Sequence, residues 1–176
     1  MSDDELGRFA ALHHRAFRYF FIGGACASTG RWVNFIVIPK LIFDLTDGSA
    51  TWIGISAFAS FFPLMLMNPV AGYVSDRFQR VKVLRITSAL QLVAAVGLTA
   101  LYASGYRDHR GFVAVSFVTG MVFGIQLPVW QAFVSETVPR HLLRNAITLN
   151  SGQFNAARAV GPALDRKSTR LNSSHR

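Results

Sequence analysis

The chain has a single cysteine in 176 residues, half as many acidic as basic side chains, and long stretches with no charge at all. One cysteine, Cys26, excludes a disulfide within the chain. Only 15% of residues are charged, whereas a soluble domain carries about 25%. Residues 52–74 contain no charge, and neither do residues 86–106. Runs of this kind match the roughly 20 residues that a helix needs to cross a hydrocarbon core about 30 Å thick.

Several activities lack their residues. No Gly-x-x-x-x-Gly-Lys-Ser/Thr or Gly-x-Gly-x-x-Gly run occurs, so neither a nucleotide loop nor a dinucleotide fold is supported. His13, His14, His109 and His141 are scattered without metal-ligand spacing. The expectation is therefore no enzyme, no metal and no cofactor. Asp3, Asp4 and Glu5 precede Arg8, Arg15 and Arg18, which is not the charge order of a signal peptide. The net charge of +9 sits in short connections rather than on one face, so no nucleic-acid partner is expected.

What remains is apolar. Hydrophobic residues make up 51% of the chain, with 15 phenylalanines. The blocks predict five helices at about 19–43, 52–74, 83–103, 112–134 and 146–164. They do not alternate polar and apolar as lipid-exposed strands do, and a closed backbone inside lipid leaves helices. The reading is an all-α, polytopic membrane helix bundle, with residues 1–18 as a terminal segment and 19–164 as spans. Arg8, Arg15, Arg18, Arg77, Arg80, Lys82, Arg85, Arg140 and Arg144 fall on one side, against Arg107 and Arg110 on the other. This asymmetry predicts a cytoplasmic N-terminus in an inner or plasma membrane.

Polar residues inside the blocks are the functional candidates. Arg31 lies near the middle of the first helix, where a charge costs about 2.5–3.5 kcal/mol to insert unless it faces a cavity or partner. Asn34 follows on the same face. Gln126 and Trp130 stand four apart on the fourth helix, where they could line a polar pathway or simply pack helices. Gly120-x-x-x-Gly124 could admit a neighbouring helix, or be chance in a glycine-rich chain. Arg158 precedes Gly161-Pro162, a candidate hinge. No carboxylate lies at mid-span, so no proton carrier is evident.

Between the second and third blocks stands Gly72-Tyr73-Val74-Ser75-Asp76-Arg77-Phe78-Gln79-Arg80-Val81-Lys82, read as a short cytoplasmic loop. The spacing Gly72-x-x-x-Asp76-Arg77-x-x-Arg80-x-Lys82 resembles the helix two–three signature of the major facilitator superfamily. It departs at Gln79, where that family usually has glycine. Asp44-Leu45-Thr46 with Ser49 resembles the end of helix one in the drug and siderophore exporter branch, the transmembrane secretion effector type. The run from Asn145 to Ala163 resembles that branch's fifth helix. The resemblance covers residues 16–164.

It implies a twelve-helix secondary exporter in two halves, driven by the proton gradient, of which this chain carries about five helices. Gly72, Asp76, Arg77, Arg80 and Lys82 would form a gate latching against the other half, with Asp76 suited to a helix N-terminus. The partners implied are the lipid bilayer, an unidentified small molecule and the C-terminal half of the transporter. The alternative is a small non-transporting membrane module or assembly factor. Residues 165–176, with one apolar side chain, cannot continue a span. They can be back-translated into a common sequencing-library adapter, which suggests a non-native tail on a truncated gene.

Overall fold

The computed structural model describes residue 7 and residues 10–157, and among these there are helices and no strand. A 3-10 turn at Ala10–His13 precedes α1 (Arg15–Leu45), α2 (Ala50–Arg77), α3 (Arg80–Ala103) and α4 (His109–Val134). A second 3-10 turn, Arg140–Leu142, leads into α5, helical from 143 to the last described residue, 157. The helices α1–α4 are each long and apolar enough to cross a membrane. Large apolar side chains lie on their outer surfaces, with Met65 73% and Val93 68% exposed. On a soluble protein such a surface would aggregate; against lipid it is the favourable one.

The helices overrun the apolar blocks that announce them. α1 begins at Arg15 rather than 19, and α2 continues through Arg77 rather than stopping at 74. α3 and α4 start at Arg80 and His109, ahead of the expected 83 and 112, and α5 starts at 143 rather than 146. Hydropathy marks only the stretch in hydrocarbon, whereas backbone hydrogen bonding continues into the interface, where Arg and Lys extend their heads into water.

The connections are short. Gly48 N–H bonds the Phe43 carbonyl at 3.0 Å and Tyr106 N–H bonds that of Leu101 at 3.3 Å, both spanning five residues as in a Schellman ending. Gly105 takes φ +85, the left-handed step such an ending requires. Between α2 and α3 only Phe78 and Gln79 are non-helical, both extended.

The chain divides into two compact units, one of residues 37–133 and one of the described residues before 37 and from 134 on. In the 37–133 unit, Ile38, Ile42, Leu98 and Phe112 form an apolar cluster with Leu41, Trp52 and Leu101 beside it. In this unit α4 approaches α2 closely. A Cβ on Gly120 would stand 2.6 Å from the Ser60 carbonyl oxygen, and one on Gly124 would stand 2.8 Å from Met67 Cβ. Of the two readings of Gly120-x-x-x-Gly124, the close helix approach is the one observed. In the other unit, Phe17 is fully buried against the rings of Phe20 and Phe21, at 6.2 and 5.9 Å.

Candidate functional site

Two sets of candidate residues have definite positions, one in each unit. The first is the α2–α3 corner. α2 carries Gly72, Asp76 and Arg77 on its final turns, and α3 opens with Arg80 and Lys82, so this stretch is two helix ends rather than a loop. Asp76 is therefore in the last turn of α2, not at a helix N-terminus. There the α2 dipole is unfavourable to a carboxylate and favourable to the neighbouring Arg77.

Gly72, Asp76, Arg77 and Lys82 are exposed. Among the described residues, no atom beyond its own helix turn lies within 4 Å of where a Gly72 Cβ would be, so this flank of α2 is open there. Arg80 is half-buried, and its Nη1 donates to the Ala132 carbonyl at 3.3 Å. That carbonyl belongs to the last turn of α4, whose acceptors have no intrahelical donor, so Arg80 caps α4. The corner thus separates into a tethered cation, Arg80, and an exposed pair, Asp76 and Arg77.

The second set is the α1–α5 pairing. Trp32 packs edge to face on Phe154 at 5.7 Å, and also on Phe35 at 5.5 Å. Arg31 and Asn34, both half-buried, flank Trp32 on α1, and Gln153, 9% exposed, precedes Phe154 on α5. Arg31 is the single charge near the middle of a span among the described residues. Arg158, Gly161 and Pro162 lie outside the described residues.

Gln126 occupies a different setting from these. It is 3% exposed, accepts from Gln91 Nε2 at 3.1 Å and donates to Ser88 Oγ at 3.0 Å. Those bonds tie α4 to α3 and leave it in the helix-packing role of the two readings above. Trp130, one turn on, is half-buried.

Sequence reasoning gave no role of their own to Ser88, Gln91, Gln153 and Asn145. Asn145 Oδ1 accepts the Ala11 N–H at 3.1 Å while its Nδ2 donates to the Gly7 carbonyl at 2.9 Å, so one side chain holds the N-terminal segment at two points. The signal was available for Ser88, Gln91 and Gln153. An amide or hydroxyl in an otherwise apolar membrane helix needs a partner, and spacing of three on α3 puts two on one face.

Residues 6–166 match the family model described as transmembrane secretion effector. The chain is similar to the "Staphyloferrin A transporter" of Staphylococcus aureus, at 24% identity over 84% of this chain and 37% of that one. It is also similar to the "Uncharacterized MFS-type transporter YfiS" of Bacillus subtilis, at 23% identity over 78% of this chain and 32% of that one. The chain thus spans about a third of the length of these relatives. No solved structure matches it.

Proposed function

The chain belongs to the transmembrane secretion effector family of the major facilitator transporters, and we propose that it serves proton-driven export of small organic molecules by alternating access. The observation that carries the reading is the family match over 6–166, joined to four helices able to cross a membrane. Family membership supports transport across the membrane; outward direction, proton drive and substrate are added here. Staphyloferrin A is the substrate to try first, since one relative is named a staphyloferrin A transporter.

In this reading Gly72, Asp76 and Arg77 form the mobile contact of the gate. They stand exposed at the end of α2, where a second helical half can close on them. A small residue at 72 lets a helix approach, and the Asp76–Arg77 pair supplies both signs for a latch. Arg80 is the fixed post, since it is bonded to α4. The orientation follows from basic side chains gathering at this end, which puts the gate at the cytoplasmic face of the cell membrane.

The test compares spent medium from cells carrying or lacking the gene by untargeted mass spectrometry, with and without a protonophore. The expected result is at least one small organic compound that leaves gene-bearing cells only and stops leaving when the gradient collapses. Identical media from the two strains would contradict export, and outflow indifferent to the protonophore would contradict proton drive.

A further inference from the structure

Most polar side chains in the spans of the 37–133 unit are used by the bundle itself. Ser56 bonds the Ile53 carbonyl, Ser60 that of Ser56, Thr87 that of Val83 and Ser116 that of Phe112, while Gln126 joins Gln91 and Ser88. Groups satisfied in this way hold helices together. His109 differs. It opens α4, its side chain is 22% exposed, and its buried Nε2 has no hydrogen-bond partner among the described residues.

Two neighbours define its surroundings. The imidazole meets the Trp52 ring of α2 edge to face, with centroids 4.1 Å apart. Its Nδ1 stands 3.9 Å from Asp108 Oδ1. That carboxylate is held in place, because the same oxygen accepts the Arg110 N–H at 2.9 Å and so caps α4. All these residues belong to one compact unit. The other ionisable groups at this end are Lys40, Asp44 and Asp47 on the α1 side, Tyr102 and Tyr106 on the α3 side, and Arg107 and Arg110 beside the histidine; α2 brings none before Tyr73. Among the described residues, Asp108 is the one carboxylate within ion-pair distance of the ring.

With a carboxylate beside Nδ1, the neutral ring carries its hydrogen on Nδ1 and buries a lone pair at Nε2 that no donor meets. Protonation replaces that lone pair with an N–H and adds a charge. Asp108 is then the counter-ion, and the indole ring is a cation–π partner. The amino end of α4 and the neighbouring Arg107 and Arg110 oppose the charge, and Asp108 offsets them. We propose that the His109–Trp52 contact is a pH-sensitive clasp between the starts of α4 and α2, tight when the imidazole is protonated and loose when it is neutral. The clasp lies at the opposite end of these helices from the α2–α3 corner. With that corner cytoplasmic, as in the reading above, the clasp senses the pH of the external medium.

Imidazolium in contact with indole quenches its fluorescence more strongly than neutral imidazole does, so Trp52 reports the clasp. Emission of the purified protein in lipid nanodiscs is compared at about pH 8 and about pH 5, which bracket the range where histidine side chains change charge. Acrylamide serves as a collisional quencher from the water. On acidification the Trp52 emission, taken as wild type minus Trp52→Phe, is expected to fall. Its quenching by acrylamide should fall by about twofold or more, the scale of one partly exposed cation–π contact. His109→Gln should abolish both changes. Asp108→Asn should shrink them while keeping the helix cap, since asparagine caps as well as aspartate. Helical circular dichroism at both pH values shows that each variant is folded. The clasp is overturned if His109→Gln or Trp52→Phe keeps the wild-type response, or if the wild type does not respond. Emission that falls while acrylamide access stays constant would equally overturn it, since the ring would titrate without moving the helices. The readout needs neither flux nor orientation, so its failure leaves the transport reading standing, and an absence of export leaves the clasp standing.

Discussion

Gly120 and Gly72 are the same residue type in opposite circumstances, and the difference is measurable. A methyl at Gly120 meets the Ser60 carbonyl oxygen at 2.6 Å. Backbone in a packed helix cannot step aside, so Gly120→Ala should cost about 1–3 kcal/mol, seen as a fall in the melting temperature of the purified protein. A methyl at Gly72 meets no described atom beyond its own helix turn within 4 Å. Gly72→Ala should leave that temperature unchanged or raise it, because alanine favours helix over glycine by about 1 kcal/mol. If position 72 is where another helix closes, the same variant nonetheless slows export. Unchanged export with unchanged stability would remove Gly72 from the gate. The glycine pair at 120 and 124 was visible in the sequence, but its partner was not. Nothing in residues 60–67 marks them as the surface that approaches, since α2 is apolar on every side.

At the scale of elements, the apolar runs located α1–α4 within a few residues and left the details of their ends hidden. The α2–α3 corner shows why. Gly72, Asp76 and Arg77 read as loop residues because they are small or charged, yet a helix end in the interface tolerates both, and only Phe78 and Gln79 leave the helix. Arg80 could not be assigned to α4 from sequence, since its acceptor, the Ala132 carbonyl, is a backbone group 52 residues away. The Asn145 clamp was hidden for the same reason, its partners being the Gly7 carbonyl and the Ala11 N–H. Asn145→Ala should release the N-terminal segment. Losing two hydrogen bonds corresponds to about 1–3 kcal/mol, or roughly a tenfold or greater rise in amide exchange at Ala11. Exchange unchanged at Ala11 would show that the segment is held by Phe17 and its ring neighbours instead.

For the whole molecule, composition alone established the class. Sparse charge and long apolar runs exclude a soluble domain, and the family match agrees with that reading. Topology rests on where the basic residues gather. Cys26 is the only cysteine, so Cys26→Ser gives a background in which single cysteines report sidedness. Gln79→Cys should resist a membrane-impermeant maleimide in intact cells and react after permeabilisation, while Ser104→Cys should react in both; the reverse pattern would invert the topology. The substrate was not legible, because a path through a carrier is lined by few side chains, and the sequence does not mark which polar residues face it rather than a neighbouring helix, as Gln126 does.

We propose gradient-driven transport gated by the exposed end of α2. Its most direct test is flux of the exported compound in proteoliposomes under an imposed pH gradient, comparing wild type with Asp76→Asn at matched incorporation and melting temperature. Accumulation is expected to depend on the gradient in the wild type and to fall by about tenfold or more in the variant, the scale of one lost charge-assisted contact. Flux that ignores the gradient, or an Asp76→Asn variant that transports at the wild-type rate, would contradict it.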